Sequence, residues 1–155
     1  MKRKIILIVS LIIILVLLSL ILVNAYNNKK RESINNEILS NLQNIAKEKS
    51  YITLTEVTPF IWDKAYCFGG YSSEGTYEEL MADLKKKPKY ISGGDLFHRI
   101  LFYNDGKLVF DTHIIAEWHL FPKAPPFERS VVLSNDDVLE MTIGNHSGHA
   151  YLYYD

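Results

Sequence analysis

The chain has 155 residues, 48% of them hydrophobic, with one cysteine and a formal net charge of −1. This composition excludes a disordered chain, a collagen-like repeat and a disulfide scaffold. Without Lys2, Arg3 and Lys4, 14 basic residues face 18 acidic ones, a net −4, so no nucleic-acid partner is expected, because phosphate binding needs a concentrated basic surface.

Residues 1–4 read as a short basic tail. Ile5 to Val23 is an uncharged apolar run of 19 residues, interrupted only by Ser10 and Ser19. As a helix it would rise about 28 Å, close to the hydrocarbon thickness of a bilayer. A helix also satisfies its own backbone hydrogen bonds, which lipid requires. Val23-Asn24-Ala25 would suit a signal-peptide cleavage site, but the run is longer than the usual signal core. An uncleaved single-pass anchor in the cell membrane is therefore expected over 5–23. Lys2, Arg3 and Lys4 adjoin the run, whereas Lys29, Lys30 and Arg31 start six residues past it. That asymmetry predicts the N-terminus in the cytoplasm and the domain outside.

Residues 24–29 are polar and Asn-rich and read as a linker, with an extracytoplasmic domain over 30–155. From Lys30 to Lys49, Ile34, Ile38, Leu42 and Ile45 recur at helical spacing, widened by Leu39 and Ala46. This amphipathic helix either continues the membrane helix or packs on the domain. Tyr51 to Thr55 alternates as a strand. Phe60 to Phe68 reads as a second strand, with Phe60, Trp62, Tyr66 and Phe68 on one face as core. Ser72-Ser73-Glu74 opens a second helix, buried through Leu80, Met81 and Leu84 and stopped by Pro88. Leu96 to Tyr103 and Lys107 to Ile114 flank Asn104-Asp105-Gly106 and predict a β-hairpin. Residues 121–127, with three prolines, predict a surface loop. Short strands follow at Val131 to Leu133, Val138 to Ile143 and Ala150 to Tyr154. The expected fold is α+β: two N-terminal helical segments, then an antiparallel meander with the second helix on one face.

The chemistry-bearing residues are sparse. The five histidines match no zinc-binding spacing. Asp111 and His113, two apart on one strand, could join His146 and His149 in an Asp/His metal cluster if the last hairpin lay beside the middle one. No nucleophile elbow occurs, and Cys67 lies between Tyr66 and Phe68, where burial would keep its thiol protonated. Gly69-Gly70 and Gly93-Gly94 extend to no phosphate-binding loop. No cofactor is expected. The aromatics are in surplus: 19 Trp, Tyr and Phe all follow the apolar run. Trp118, Phe121 and Phe127 cluster around the proline-rich loop and are candidates for a protein-contact surface. The run Lys85-Lys86-Lys87-Pro88-Lys89 reads as a solvated helix end.

Residues 60–72, FIWDKAYCFGGYS, with Ser92-Gly93-Gly94-Asp95 and the Leu-Phe-Tyr-Asn-Asp-Gly-Lys-Leu-Val hairpin, resemble a motif of small bacterial membrane-anchored proteins and lipoproteins of Gram-positive type. The resemblance covers about residues 50–115, and the pattern offers no metal or nucleophile position to carry over. The expected function is a non-enzymatic binding module that contacts a protein or cell-envelope component, an immunity-type protein being one form of it. The alternative is a metal-dependent envelope enzyme using the Asp/His cluster.

Overall fold

The computed structural model describes residues 2–69, 72–91, 98–114, 118–122, 130–143 and 150–154, with backbone alone at 2–8, 98, 113, 114, 118–122, 143, 150 and 154. The chain divides into two compact units, Met1–Ile34 and Asn35–Asp155. Helix α1 covers Lys2–Ile45. The stretch 24–29, expected as a linker, is helical, because nothing in Asn-Ala-Tyr-Asn-Asn-Lys forbids helix once both flanks are helical.

In the first unit the apolar side chains from Val9 to Val23 are exposed on every side of the helix. This is a helix long and apolar enough to cross a membrane. The Ser19 hydroxyl donates to the Val16 carbonyl at 2.7 Å, which hides its polarity within the helix.

In the second unit α1 supplies Ile38 and Leu42, both fully buried, with Leu39, Ile45 and Ala46 half-buried. Asn41 Nδ2 donates to the Val57 carbonyl at 3.0 Å, and Thr112 Oγ1 lies 2.8 Å from Asn35 Oδ1. The helical stripe read from the sequence is thus a packing face.

The fold is α+β. Its strands are β1 (Tyr51–Thr53), β2 (Lys64–Phe68), β3 (His98–Asn104), β4 (Lys107–Ile114), β5 (Trp118–Pro122), β6 (Val131–Ser134), β7 (Val138–Ile143) and β8 (Ala150–Tyr154). A 3₁₀ turn occupies Leu54–Glu56, and α2 spans Glu74–Leu80. The strands divide between two sheets, ordered β4-β3-β2-β6 and β1-β7-β8-β5, instead of running on as one meander. Pairing is antiparallel except between β5 and β8, which are parallel. Among the described strands the chain crosses between the two sheets four times, the last crossing being the turn after β6. There Ser134 N donates to Asp137 Oδ2 at 2.8 Å, and Ser134 Oγ donates to Asp136 Oδ1 at 2.6 Å.

The β3–β4 hairpin turns as expected. Asp105 and Gly106 have φ of 50° and 66°, the paired positive values that a two-residue hairpin turn of matching twist demands. The second strand begins later than expected, at Lys64. Asp63 leaves the strand path to hold the hairpin tip: its Oδ2 accepts from Asp105 N at 2.8 Å, and its own N–H donates to the Tyr103 carbonyl at 2.8 Å. The four aromatics therefore do not share a face. Phe60 and Trp62 pack against Phe102, each at 5.2 Å between ring centroids. Tyr66 and Phe68 pack on the other side, against Tyr103 and Tyr77 at 5.4 and 5.0 Å. Trp62, Tyr66 and Phe68 are buried as core residues, and Phe60 is half-buried. Cys67 is buried in the central strand, and burial pushes its thiol far above the usual range.

Helix α2 starts where expected, with Ser73 Oγ accepting from Thr76 N at 3.1 Å. It ends at Leu80, well before Pro88. The residues after it form a strap across the sheet, held by side chains beneath, so proline is not what stops the helix.

Candidate functional site

The sheet β1-β7-β8-β5 is one-sided. Ile52, Leu139, Met141 and Leu152 alternate inward and are 0–4% exposed. The intervening residues look outward. Register places Tyr51 opposite Glu140 and Glu140 opposite Tyr153, so the three form one row across the face. A second row pairs Thr142 with Tyr151, and a third pairs Thr53 with Val138. Tyr51 and Val138 are 58% and 63% exposed, whereas Tyr151, Tyr153 and Glu140 are half-buried. The result is a sheet face that carries three tyrosines, two threonines, Val138 and one carboxylate. Such a face offers rigid apolar area with hydroxyl donors, the mixture that protein and glycan contacts use. These tyrosines lie in segments that the sequence marks only as strands. A period-2 pattern was visible at Tyr151, Tyr153 and Tyr51, but it could not say which side was outside.

The sequence-predicted contact residues belong partly to this sheet. Strand β5 pairs with β8, Trp118 standing opposite Ala150 and Phe121 opposite Tyr153 in the register. Their side chains, and the whole of Phe127, lie outside the described atoms. The alternative metal ligands are treated differently by the fold. Asp111 lies on β4, and both of its carboxylate oxygens accept from Arg99, from Nε at 3.0 Å and Nη2 at 2.9 Å. Arg99 is 7% exposed, and its Nη1 donates to the Lys89 carbonyl at 2.9 Å. Asp111 is therefore the counter-charge of a buried arginine. His113 sits on β4 with its side chain undescribed, and His146 and His149 lie outside the described residues. Among the described residues no group of three metal-ligating side chains occurs.

Around Arg99 lies a cluster of phenols and apolar side chains: Tyr66, Phe68, Tyr77, Met81, Leu101 and Tyr103. Burial raises the phenol pKa of Tyr66 and Tyr77 and pushes that of Tyr103 up to about 12. These groups stay neutral at physiological pH, and the hydroxyls of Tyr77 and Tyr103 donate to backbone carbonyls. Comparison with protein-family models, with curated proteins and with solved structures gives no match to this chain.

Proposed function

We propose that this chain is a membrane-anchored, extracytoplasmic, non-enzymatic binding module that contacts a protein or cell-envelope component through the outer face of the β1-β7-β8-β5 sheet. The observation that carries the reading is the set of three tyrosines with Val138 turned outward on that sheet. Apolar groups as exposed as Val138 and Tyr51 add little to the core, and a contact surface would account for their placement beside Tyr151 and Tyr153. The exposed apolar stretch of α1 supports the membrane assignment, and the basic flank at Lys2, Arg3 and Lys4 supports an outside domain. An immunity-type role, in which the face meets a toxin at the cell surface, is a narrower form of the same proposal.

The test is site-resolved photocrosslinking in the native membrane. A crosslinker placed at Tyr51 or Thr142 should capture one and the same species. The same group placed at Lys64 or Asp105, on the other sheet, should not. Tyr151→Ala with Tyr153→Ala should weaken the capture without unfolding the domain, since both residues are only half-buried. Equal, unspecific capture from all four positions would sink the proposal.

A further inference from the structure

The segment after α2 carries four lysines in five residues, Lys85-Lys86-Lys87-Pro88-Lys89. Its backbone is turned inward and tied down. Tyr103 Oη donates to the Lys86 carbonyl at 3.4 Å, Tyr77 Oη to the Pro88 carbonyl, and Arg99 Nη1 to the Lys89 carbonyl at 2.9 Å. Tyr90 Oη closes the far end on the Ser72 carbonyl at 2.7 Å. The three side chains that bind these carbonyls, Arg99 and Tyr103 on β3 and Tyr77 on α2, are themselves buried. With its carbonyls held from beneath, the strap exposes every one of its lysines. Lys87 is paired with Glu78, whereas no ion pair is formed by Lys85, Lys86 or Lys89 among the described residues. Three ammonium groups are thus presented from a fixed backbone in a domain whose overall charge is negative. A solvated helix end would need none of this internal anchorage.

We propose that the Lys85–Lys89 strap docks on anionic phospholipid headgroups of the membrane that holds the chain. The proposal rests on the membrane reading of α1. An anchored domain meets headgroups at high effective concentration throughout its life, so a weak cationic surface suffices. Lysines near an anionic bilayer each favour the bound state by on the order of fivefold, and salt removes the effect. A soluble polyanion has no such advantage and would have to be captured by three charges alone.

The experiment uses the full chain reconstituted into vesicles of phosphatidylcholine, with or without phosphatidylglycerol. Flotation first establishes insertion. A chain that fails to float even with phosphatidylcholine overturns the membrane reading itself. For inserted protein, a membrane-impermeant amine reagent is applied, and labelling of Lys85, Lys86 and Lys89 is read by mass spectrometry against Lys64 and Lys107. Phosphatidylglycerol should slow the strap lysines by on the order of fivefold relative to the two references, and high salt should abolish the difference. In the Lys85→Gln, Lys86→Gln variant, flotation should be unchanged and Lys89 should label equally in both vesicles. Equal strap labelling in both vesicles for the parent protein overturns the docking. Slowing that appears only when soluble polyphosphate is added also overturns it, and assigns the strap to a free polyanion.

Discussion

At the scale of single residues, the Arg99–Asp111 pair decides the most. Arg99 is 8% exposed at its side chain and Asp111 19%, so the pair sits at the edge of the dry core. Each oxygen of the carboxylate takes one arm of the guanidinium, a fork-to-fork arrangement that fixes both side chains. Asp111→Ala would leave a buried guanidinium with its charge uncompensated, at a cost of about 3 kcal/mol. Arg99→Met with Asp111→Leu removes both charges and should recover more than half of that loss. Chemical denaturation of the three proteins measures it, and a double variant no more stable than Asp111→Ala would refute the buried-charge account. The buried phenols make a second prediction. The pKa of Tyr103 in the fold, about 12, lies above the unfolded value near 10, and those of Tyr66 and Tyr77 are raised too. A raised folded pKa means that the unfolded chain loses its protons first. The stability these phenols contribute is therefore complete below pH about 10 and falls as pH climbs through the folded value. Titration followed at the phenolate absorbance should show a late group of tyrosines that ionises together with unfolding. A fully ionised but still folded domain near pH 11 would contradict it.

At the scale of elements, what the sequence revealed depended on how local the cause was. The β3–β4 hairpin was legible because Asp105 and Gly106 carry their own conformational preference. The buried stripe of α1 was legible because Ile38 and Leu42 repeat at the helical period. The face assignment of Phe60 to Phe68 was not, because the bend at Asp63 is imposed by a hydrogen bond to Asp105, 42 positions away. The early end of α2 was hidden for a related reason: the carbonyls of the strap are satisfied by Arg99 and Tyr103 of the distant β3 together with Tyr77 of α2 itself. The partition into two sheets rests on pairings such as Tyr51 with Glu140 and Lys64 with Ser134, which no local period encodes. The outward tyrosines were unreadable for that reason as well, since a strand's inner face is defined only by what covers it. The loop around Asp63 can be probed through Trp62, which is 2% exposed, stacks edge-on against Phe102 and donates from Nε1 to Thr58 Oγ1 at 2.8 Å. Trp62→Ala should cost about 3–5 kcal/mol and lower the melting temperature accordingly. A variant melting with the parent would show that the ring is not part of the core.

For the whole molecule, the proposed membrane anchor makes orientation govern what the domain can meet. The two basic clusters that flank the apolar run are nearly equal, Lys2, Arg3 and Lys4 against Lys29, Lys30 and Arg31. Proximity favours the first cluster, which touches the run directly. An alkaline phosphatase fused after Asp155 should accordingly be active, and a fluorescent reporter that folds only in the cytoplasm should stay dark there. So close a balance also predicts sensitivity. Lys2→Gln, Arg3→Gln and Lys4→Gln together should leave the C-terminal side as the more basic flank and send a large share of the chains in the reverse direction. Phosphatase activity would then fall and reporter fluorescence rise in proportion, with total protein unchanged. If the triple variant kept full phosphatase activity, the flanking charge would not be what orients α1, and the outside placement would need another cause. If the parent fusion itself were inactive and the reporter bright, the sheet face with Tyr51 and Tyr153 would look onto the cytoplasm, and its partner would have to be sought there.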